Sequence, residues 1–490
     1  MERGSGLLLH FSSLPGKYGI GGFSNEAKKF VKLLKYAGQK YWQILPMNPT
    51  GFKDSPYQSY ASFAINPYFI DLDQLKKDHL LSEEEIKEHT KAKNTNRIDY
   101  GYLYDNRFIL LDLAAKRAIR KDKSKIDRFY KQNRYWIEDY ALFMTLKHLY
   151  ENVCWVDFPR EFKKHNKNAL KELKESNFEL FYSFVAIQYF AFSQYKRIKK
   201  YANKMGIKII GDVPIYVSYD SCDVWANQKQ FLLDKDGHPT LVAGVPPDYF
   251  SETGQLWGNP IYNYQRMEKT NFRWWVRRIK HASKLYDYIR IDHFRGFASY
   301  YVINPADGTA LNGKWIEGPR TKIIDAFNKV AENRIIAEDL GILTQDVFDL
   351  MDYAKYPGLN IFQFADFSNW NHKYLPHNYK EHSVAYLGTH DNDVFKNFLN
   401  TNENTKHQIM DYLRIDDETK LVKGALMSLL ASKADVTIFM PQDVLEMDGN
   451  VRINIPSEAD GNWTFRFKKS DLKKEKYLEL YKMCCQNNRY

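Results

Sequence analysis

"YDYIRIDHFRG" (286–296) reads as a strand that ends in chemistry. Aromatic and β-branched residues lead into Arg290, Asp292, His293 and Arg295, and a glycine closes the run. Such residues suit a pleated, half-buried surface, and the polar tail marks where the chain leaves the core. Seven other runs share this plan: "GLLLHFSSLPG" (6–16), "YWQILPMNP" (41–49), "IKIIGDVPIYV" (207–217), "RIIAEDLG" (334–341), "GLNIFQFAD" (358–366), "VAYLGTHDND" (384–393) and "VTIFMPQDV" (436–444). Most are separated by segments of helical period, such as 24–38 and 343–355. Strands alternating with helices imply parallel pairing, and eight such units predict an α/β fold, a closed (β/α)8 TIM barrel. A doubly wound open sheet is the alternative.

The spacing of the runs is uneven. The long stretch between the second and third is mostly of helical pattern, which predicts a helical subdomain inserted over 50–205. A second insertion, 218–272, follows the third run and carries the Gly/Pro-rich "GVPPDYFSETGQLWGNPIYN" (244–263). Long loops in compact proteins are usually functional, so this loop-rich segment is expected to cover an active site. No repeat or low-complexity linker interrupts the chain, which reads as one elaborated domain over 1–490.

Composition supports a large core, with 44% hydrophobic and 16% aromatic residues among 490. The 35 tyrosines and 10 tryptophans suit flat, amphipathic ligands. The formal net charge of +11 raises the question of nucleic acid. Its densest stretches, 116–134 and 468–476, carry apolar residues at helical spacing and read as solvated helix faces. No zinc-knuckle spacing or aromatic RNA-binding signature accompanies them, so no nucleic-acid partner is expected. The four cysteines (Cys154, Cys222, Cys484, Cys485) include no CxxC pair, a usage that fits a reducing compartment. "GLLLHF" is too short for a signal-peptide core, and no run is long and apolar enough for a membrane span. A cytoplasmic protein without membrane contact is the expectation.

Four acids fall at strand ends: Asp212 after the third run, Asp292 after the fourth, Glu338 after the fifth and Asp391, with His390, after the seventh. In a parallel barrel these ends share the rim where active sites are built. Residues two apart on a strand face the same way, so Arg290 and Asp292 point inward together. Each acid alone could be a structural ion pair; four on one rim favour chemistry. Paired carboxylates at a barrel mouth suit glycosidic bond cleavage, and retaining enzymes hold the two carboxyls roughly 5–5.5 Å apart. Arg290 would keep Asp292 ionised as nucleophile, while Glu338, after the apolar "RIIA", suits the acid/base. Asp391 would stabilise the oxocarbenium charge, with His293 and His390 on sugar hydroxyls or as satisfied structural residues. "GIGGFS" (19–24) lacks dinucleotide spacing, and HExxH, Walker A and GxSxG are absent. No metal cage and no cofactor are predicted.

Taken in order, "SPYQSYASFAINPYFIDL" (55–72), "GDVPIYVSYDSCDVWAN" (211–227), the 244–263 stretch, "RIDHFRG", "IAEDLG" and "GTHDND" resemble the amylomaltases. These are the 4-α-glucanotransferases of glycoside hydrolase family 77, relatives of the α-amylases. The resemblance runs on through "PQDVLEM" to "DGNWTFRF" (460–467) and so covers essentially the whole chain. It implies the same roles for Asp292, Glu338 and Asp391, with Arg290, Asp212, His293 and His390 in support. It further implies glucan contacts at Ser55 and Tyr57, in a mobile loop at Asp248, Phe250, Gln255 and Trp257, and at Asn462, which with Trp463 matches a second bordering loop. Val394, where the family often has threonine, and the variant "LEMDG" touch no catalytic carboxylate but bear on chain-length preference. The implied partners are maltooligosaccharides and other α-1,4-glucans. Rival readings are an amylase-type hydrolase with the same acids, or a non-catalytic glucan-binding protein.

Overall fold

The computed structural model describes residues 1–490 apart from 91–95, 248–250, 457 and 459. Its strands are β1 (Gly4–Leu8), β2 (Tyr41–Gln43), β3 (Lys208–Val213), β4 (Val242–Val245), β5 (Gln255–Pro260), β6 (Tyr288–Ile291), β7 (Ser299–Ile303), β8 (Lys314–Glu317), β9 (Ile335–Ala337), β10 (Gly358–Ile361), β11 (Ser383–Tyr386) and β12 (Val436–Phe439). Each of the eight apolar runs supplies one strand of a single parallel sheet, in the order β10-β11-β12-β1-β2-β3-β6-β9. Its outer strands approach each other. The Ala337 amide donates to the Pro357 carbonyl at 3.0 Å, and the Leu359 amide to Asp339 Oδ1 at 2.7 Å. The sheet is thus a nearly closed (β/α)8 barrel, which leaves little unpaired edge.

The strands are short and buried on both faces, as parallel strands under helices must be. Ile289 and Ile291 are fully buried on the outer side of β6, while Arg290 between them turns inward. Gly211 in β3 is required by packing. A Cβ there would stand 2.1 Å from Tyr286 Cγ, so only glycine lets that ring lie against the strand. The helix Asn25–Tyr36 shows how the outer layer forms. Ser24 Oγ accepts the Glu26 amide as N-cap, and Ala27, Phe30, Val31 and Leu34 bury one stripe against the sheet.

Between β2 and β3 run the helices Leu72–Lys77, Glu83–Glu88, Tyr100–Asp122, Ser124–Leu149, Lys167–Ser176 and Phe178–Lys204. The last also serves as the barrel's crossover into β3. Its Tyr195 ring meets Phe11 at 6.0 Å, and the Tyr195 hydroxyl donates to the Leu285 carbonyl. The stretch after β3 is not wholly irregular: β4 and β5 pair antiparallel, and with β7 and β8 they make a second sheet, β5-β4-β7-β8. Trp42, Trp225 and Trp275 are fully buried, and truncating any of them would cost about 3–5 kcal/mol. No helix among the described residues is long and apolar enough to cross a membrane.

Candidate active site

The site grows from the register of β3, β6 and β9. Asp212 and Arg290 are direct partners in the parallel ladder, and Ile291 pairs with Ala337. One residue further on, the ladder continues: the Asp292 amide donates to the Val213 carbonyl and the Glu338 amide to the Ile291 carbonyl. Asp292 and Glu338 therefore stand side by side, each the first residue past its strand. Adjacent strands lie roughly 4.8 Å apart, so register alone brings the two acids together.

Arg290 is the electrostatic centre. Its Nη1 donates to Asp212 Oδ2 at 2.7 Å and lies 2.9 Å from Asp292 Oδ1. Arg295, the other arginine of the motif, points away. His293 takes a left-handed conformation (φ 51°) that opens a 3-10 turn. The Arg295 guanidinium then stacks 3.9 Å from the Trp315 ring centroid and bonds to the Ile342 carbonyl. The aspartate thus shares one arginine with another aspartate. Burial pushes the Asp292 carboxyl well above the ordinary range; Arg290 opposes this, and Asp212, Glu338 and Asp391 add to it. Burial also raises Glu338, against the pull of Arg290 and of the His293 and Leu340 amides. Those amides donate to Oε2 at 2.6 Å and Oε1 at 2.9 Å. Two neighbouring carboxyls both raised by burial favour a state in which Asp292 and Glu338 hold one proton between them.

Opposite stands an aromatic wall. The Tyr57 hydroxyl donates to Asp212 Oδ2 at 2.8 Å and lies 2.9 Å from His390 Nε2. The Tyr57 and His390 rings stack at 5.5 Å, with Trp463 5.7 Å from Tyr57. Ser55 Oγ accepts the Tyr57 amide at 3.3 Å and fixes its entry. Asp391 is 41% exposed and lies 3.3 Å from His390 Nε2. Burial lowers both His390 and His293, the latter to about 3, so neutral imidazoles line the cleft.

Trp257 of β5 meets the His293 ring edge-on at 4.9 Å, and Gln255 Oε1 accepts the Trp257 indole N–H at 3.1 Å. The second sheet thereby leans over the acids. Asp248 and Phe250 lie outside the described residues. The Asn462 side chain accepts the Ile455 amide and donates to the Ile455 and Glu458 carbonyls, and so clamps its own loop beside Trp463. Two residues escape sequence reasoning. Asn454 donates to Asp391 Oδ1 at 2.6 Å, and Arg452 to the Asp391 carbonyl. Among the described residues no cluster of three His, Cys, Asp or Glu side chains could hold a metal ion.

A nearly closed (β/α)8 barrel with acids from neighbouring strands on its C-terminal rim defines a carbohydrate-active barrel enzyme. The family model described as 4-alpha-glucanotransferase, glycoside hydrolase family 77, matches residues 9–472, and the chain belongs to that family. It is 42% identical over 479 residues to the 4-alpha-glucanotransferase of Clostridium butyricum, covering 97% of this chain and 98% of that protein. With the Thermus thermophilus 4-alpha-glucanotransferase it shares 40% over 500 residues, covering 99% and 98%. The amylomaltase of Streptococcus agalactiae, solved in complex with acarbose, superimposes over the whole of both chains with a TM-score of 0.96 at 36% identity. The Corynebacterium glutamicum amylomaltase shares the fold, with a TM-score of 0.76 at 17% identity over 99% of this chain and 75% of that one.

Proposed function

We propose that the protein moves a segment of an α-1,4-glucan from a donor to the 4-hydroxyl of an acceptor glucan or glucose, by a retaining double displacement. One observation carries this reading: Asp292 and Glu338 occupy the same register on neighbouring strands, and Arg290 bonds to the first and not to the second. Burial raises Asp292 further than Glu338, so the assignment rests on the direct bond: Arg290 lies against Asp292 and favours its charge during attack, and the shared proton is then Glu338's to give.

Asp292 Oδ then attacks the anomeric carbon as the glycosidic C–O bond breaks, and the departing oxygen takes the Glu338 proton. The acceptor hydroxyl next attacks that carbon, gives its proton to Glu338, and releases the Asp292 carboxylate. Asp391 stabilises the oxocarbenium-like charge at both stages, and Tyr57 with His390 forms the wall against which the ring rests. No cofactor takes part. Transfer requires that the acceptor outcompete water. The 244–263 stretch is the shield in this reading, supported by the contact of Trp257 with His293. Residues 1–490 act as one catalytic domain, with 50–205 and 218–272 as its insertions. The four cysteines are all free thiols, which supports work in the reducing cytoplasm.

The deciding experiment incubates the protein with maltotriose and separates the products by chromatography, with Asp292→Asn as control. A ladder of longer maltooligosaccharides, lost in the variant, is expected. Glucose and maltose without a ladder would mean an amylase-type hydrolase. Binding without turnover would mean a glucan-binding protein.

A further inference from the structure

The loop joining β10 to β11 starts at the catalytic rim and carries an exposed indole along its way. At its start Gln363 Nε2 donates to the Asp393 carbonyl at 2.9 Å, two residues past Asp391. Further along, Trp370 is 62% exposed, against the general rule that tryptophans are largely buried.

This indole is exposed without being loose. The Trp370 carbonyl lies 2.8 Å from both Asn378 Nδ2 and His377 Nε2. A carbonyl only accepts, so His377 carries its proton on Nε2 there. Its Nδ1 lies 2.9 Å from the Tyr412 hydroxyl. The three rings pack together, Trp370 at 5.5 Å from His377 and 5.6 Å from Tyr412, and His377 at 5.7 Å from Tyr412. Asp366 orders the base of the loop by accepting the Ser368 amide and hydroxyl. The remaining indole surface is open to solvent in a fixed orientation, so a ligand stacking on it would meet little ordering cost.

We propose that Trp370, backed by His377 and Tyr412, is a surface platform for an α-1,4-glucan chain, on the same rim as the acids. The inference rests on the reading that the enzyme acts on such glucans. A pyranose ring has an apolar C–H face that suits an indole and a hydroxyl edge that suits neighbouring amides and imidazoles. Asn369 and Asn371 flank Trp370 and supply such amides. Nothing in the chemistry at Asp292 requires this platform, so a trisaccharide should be indifferent to it. A chain long enough to leave the cleft should not be.

The test compares wild type with Trp370→Ala and Trp370→Phe in two assays: retardation in native gels containing soluble amylose, and initial rates with maltotriose and with amylose. For the alanine variant, weaker retardation and an amylose KM raised roughly three- to tenfold are expected, the worth of one aromatic stack. Its maltotriose kcat/KM should stay within about twofold of wild type, and phenylalanine should restore most of the amylose behaviour. Unchanged retardation and amylose KM would overturn the proposal, as would equal losses on both substrates. Retardation is read without turnover. A wild-type protein that transferred nothing from maltotriose would end the transfer reading and leave this test standing.

Discussion

Asn454 donates its side-chain amide to Asp391 Oδ1 at 2.6 Å, while Arg452 bonds to the carbonyl of the same aspartate. The segment after β12 therefore fixes both the backbone and the carboxylate of the third acid. Only one oxygen of that carboxylate is held by Asn454, and the other lies 3.3 Å from His390 Nε2. Asn454→Ala should lower kcat on maltotriose about 10- to 100-fold, because a misoriented charge stabilises the transition state poorly. Asn454→Asp keeps the shape but sets a second carboxylate against Asp391, so it should be slower still and should recover towards acid pH. Initial rates across pH test both. A wild-type kcat in the alanine variant would show that Asp391 is oriented by other contacts.

The proposed division between Asp292 and Glu338 can be separated by the leaving group. A glucosyl fluoride departs without a proton, so Glu338→Gln should lose about 10²–10⁴-fold on maltotriose but keep its first step with the fluoride. Asp292→Asn should lose both, since no nucleophile remains. Fluoride release and oligosaccharide formation, followed side by side, give the two readouts. Equal losses of Glu338→Gln on both donors would remove the acid role.

Much of this site was legible because it follows from strand period alone. Asp292 and Glu338 each come one residue after a short apolar run, "IRI" and "IIA", and parallel register does the rest. All eight barrel strands could be read for the same reason. Arg295 could not: it lies two residues past a left-handed His293, a turn that periodicity does not reveal, and its guanidinium leaves for Trp315. Asn454 sits in "VRINIP", whose apolar/polar alternation forms no strand and says nothing of a partner, and it meets Asp391 across 63 residues of chain. β7 and β8 were missed because their sheet is small. β8 ("KWIE") has no fully buried residue to mark it.

Tyr57 joins two parts of the cleft through one hydroxyl. It donates to Asp212 Oδ2, so His390 Nε2 must donate to it, which leaves His390 Nδ1 without a partner. Asp212 Oδ1 is likewise buried and unpartnered. Tyr57→Phe keeps the ring stack but leaves Asp212 with Arg290 alone. It should cost about 1–3 kcal/mol of stability, and it should raise the KM for maltotriose as the wall loosens. Denaturant titration and steady-state rates measure these separately. Unchanged stability would mean that Arg290 alone satisfies Asp212.

Asp443 supplies a pH dependence that can be isolated. It is buried behind the Asp391 loop, where Oδ1 accepts the Phe395 amide at 2.7 Å and Oδ2 has no partner. Burial raises its carboxyl from 3.8 to about 7, with Asp393 adding to the shift. The folded protein therefore keeps a proton on Asp443 that the unfolded chain has already released. Where the native state binds more protons, unfolding free energy falls as pH rises. This group's burden thus builds between about 4 and about 7 and is complete above that, on the order of a few kcal/mol. Asp443→Asn cannot ionise and still offers an oxygen to Phe395. Measured by denaturation from about pH 5 to about pH 8, the variant should match or fall slightly below wild type at the acid end and exceed it at the alkaline end. Asp292 and Glu338, also raised by burial, contribute equally to both proteins and cancel in the difference. Parallel stability curves would mean that Asp443 is ionised in the fold, and that a cation or water reaches its unpartnered oxygen.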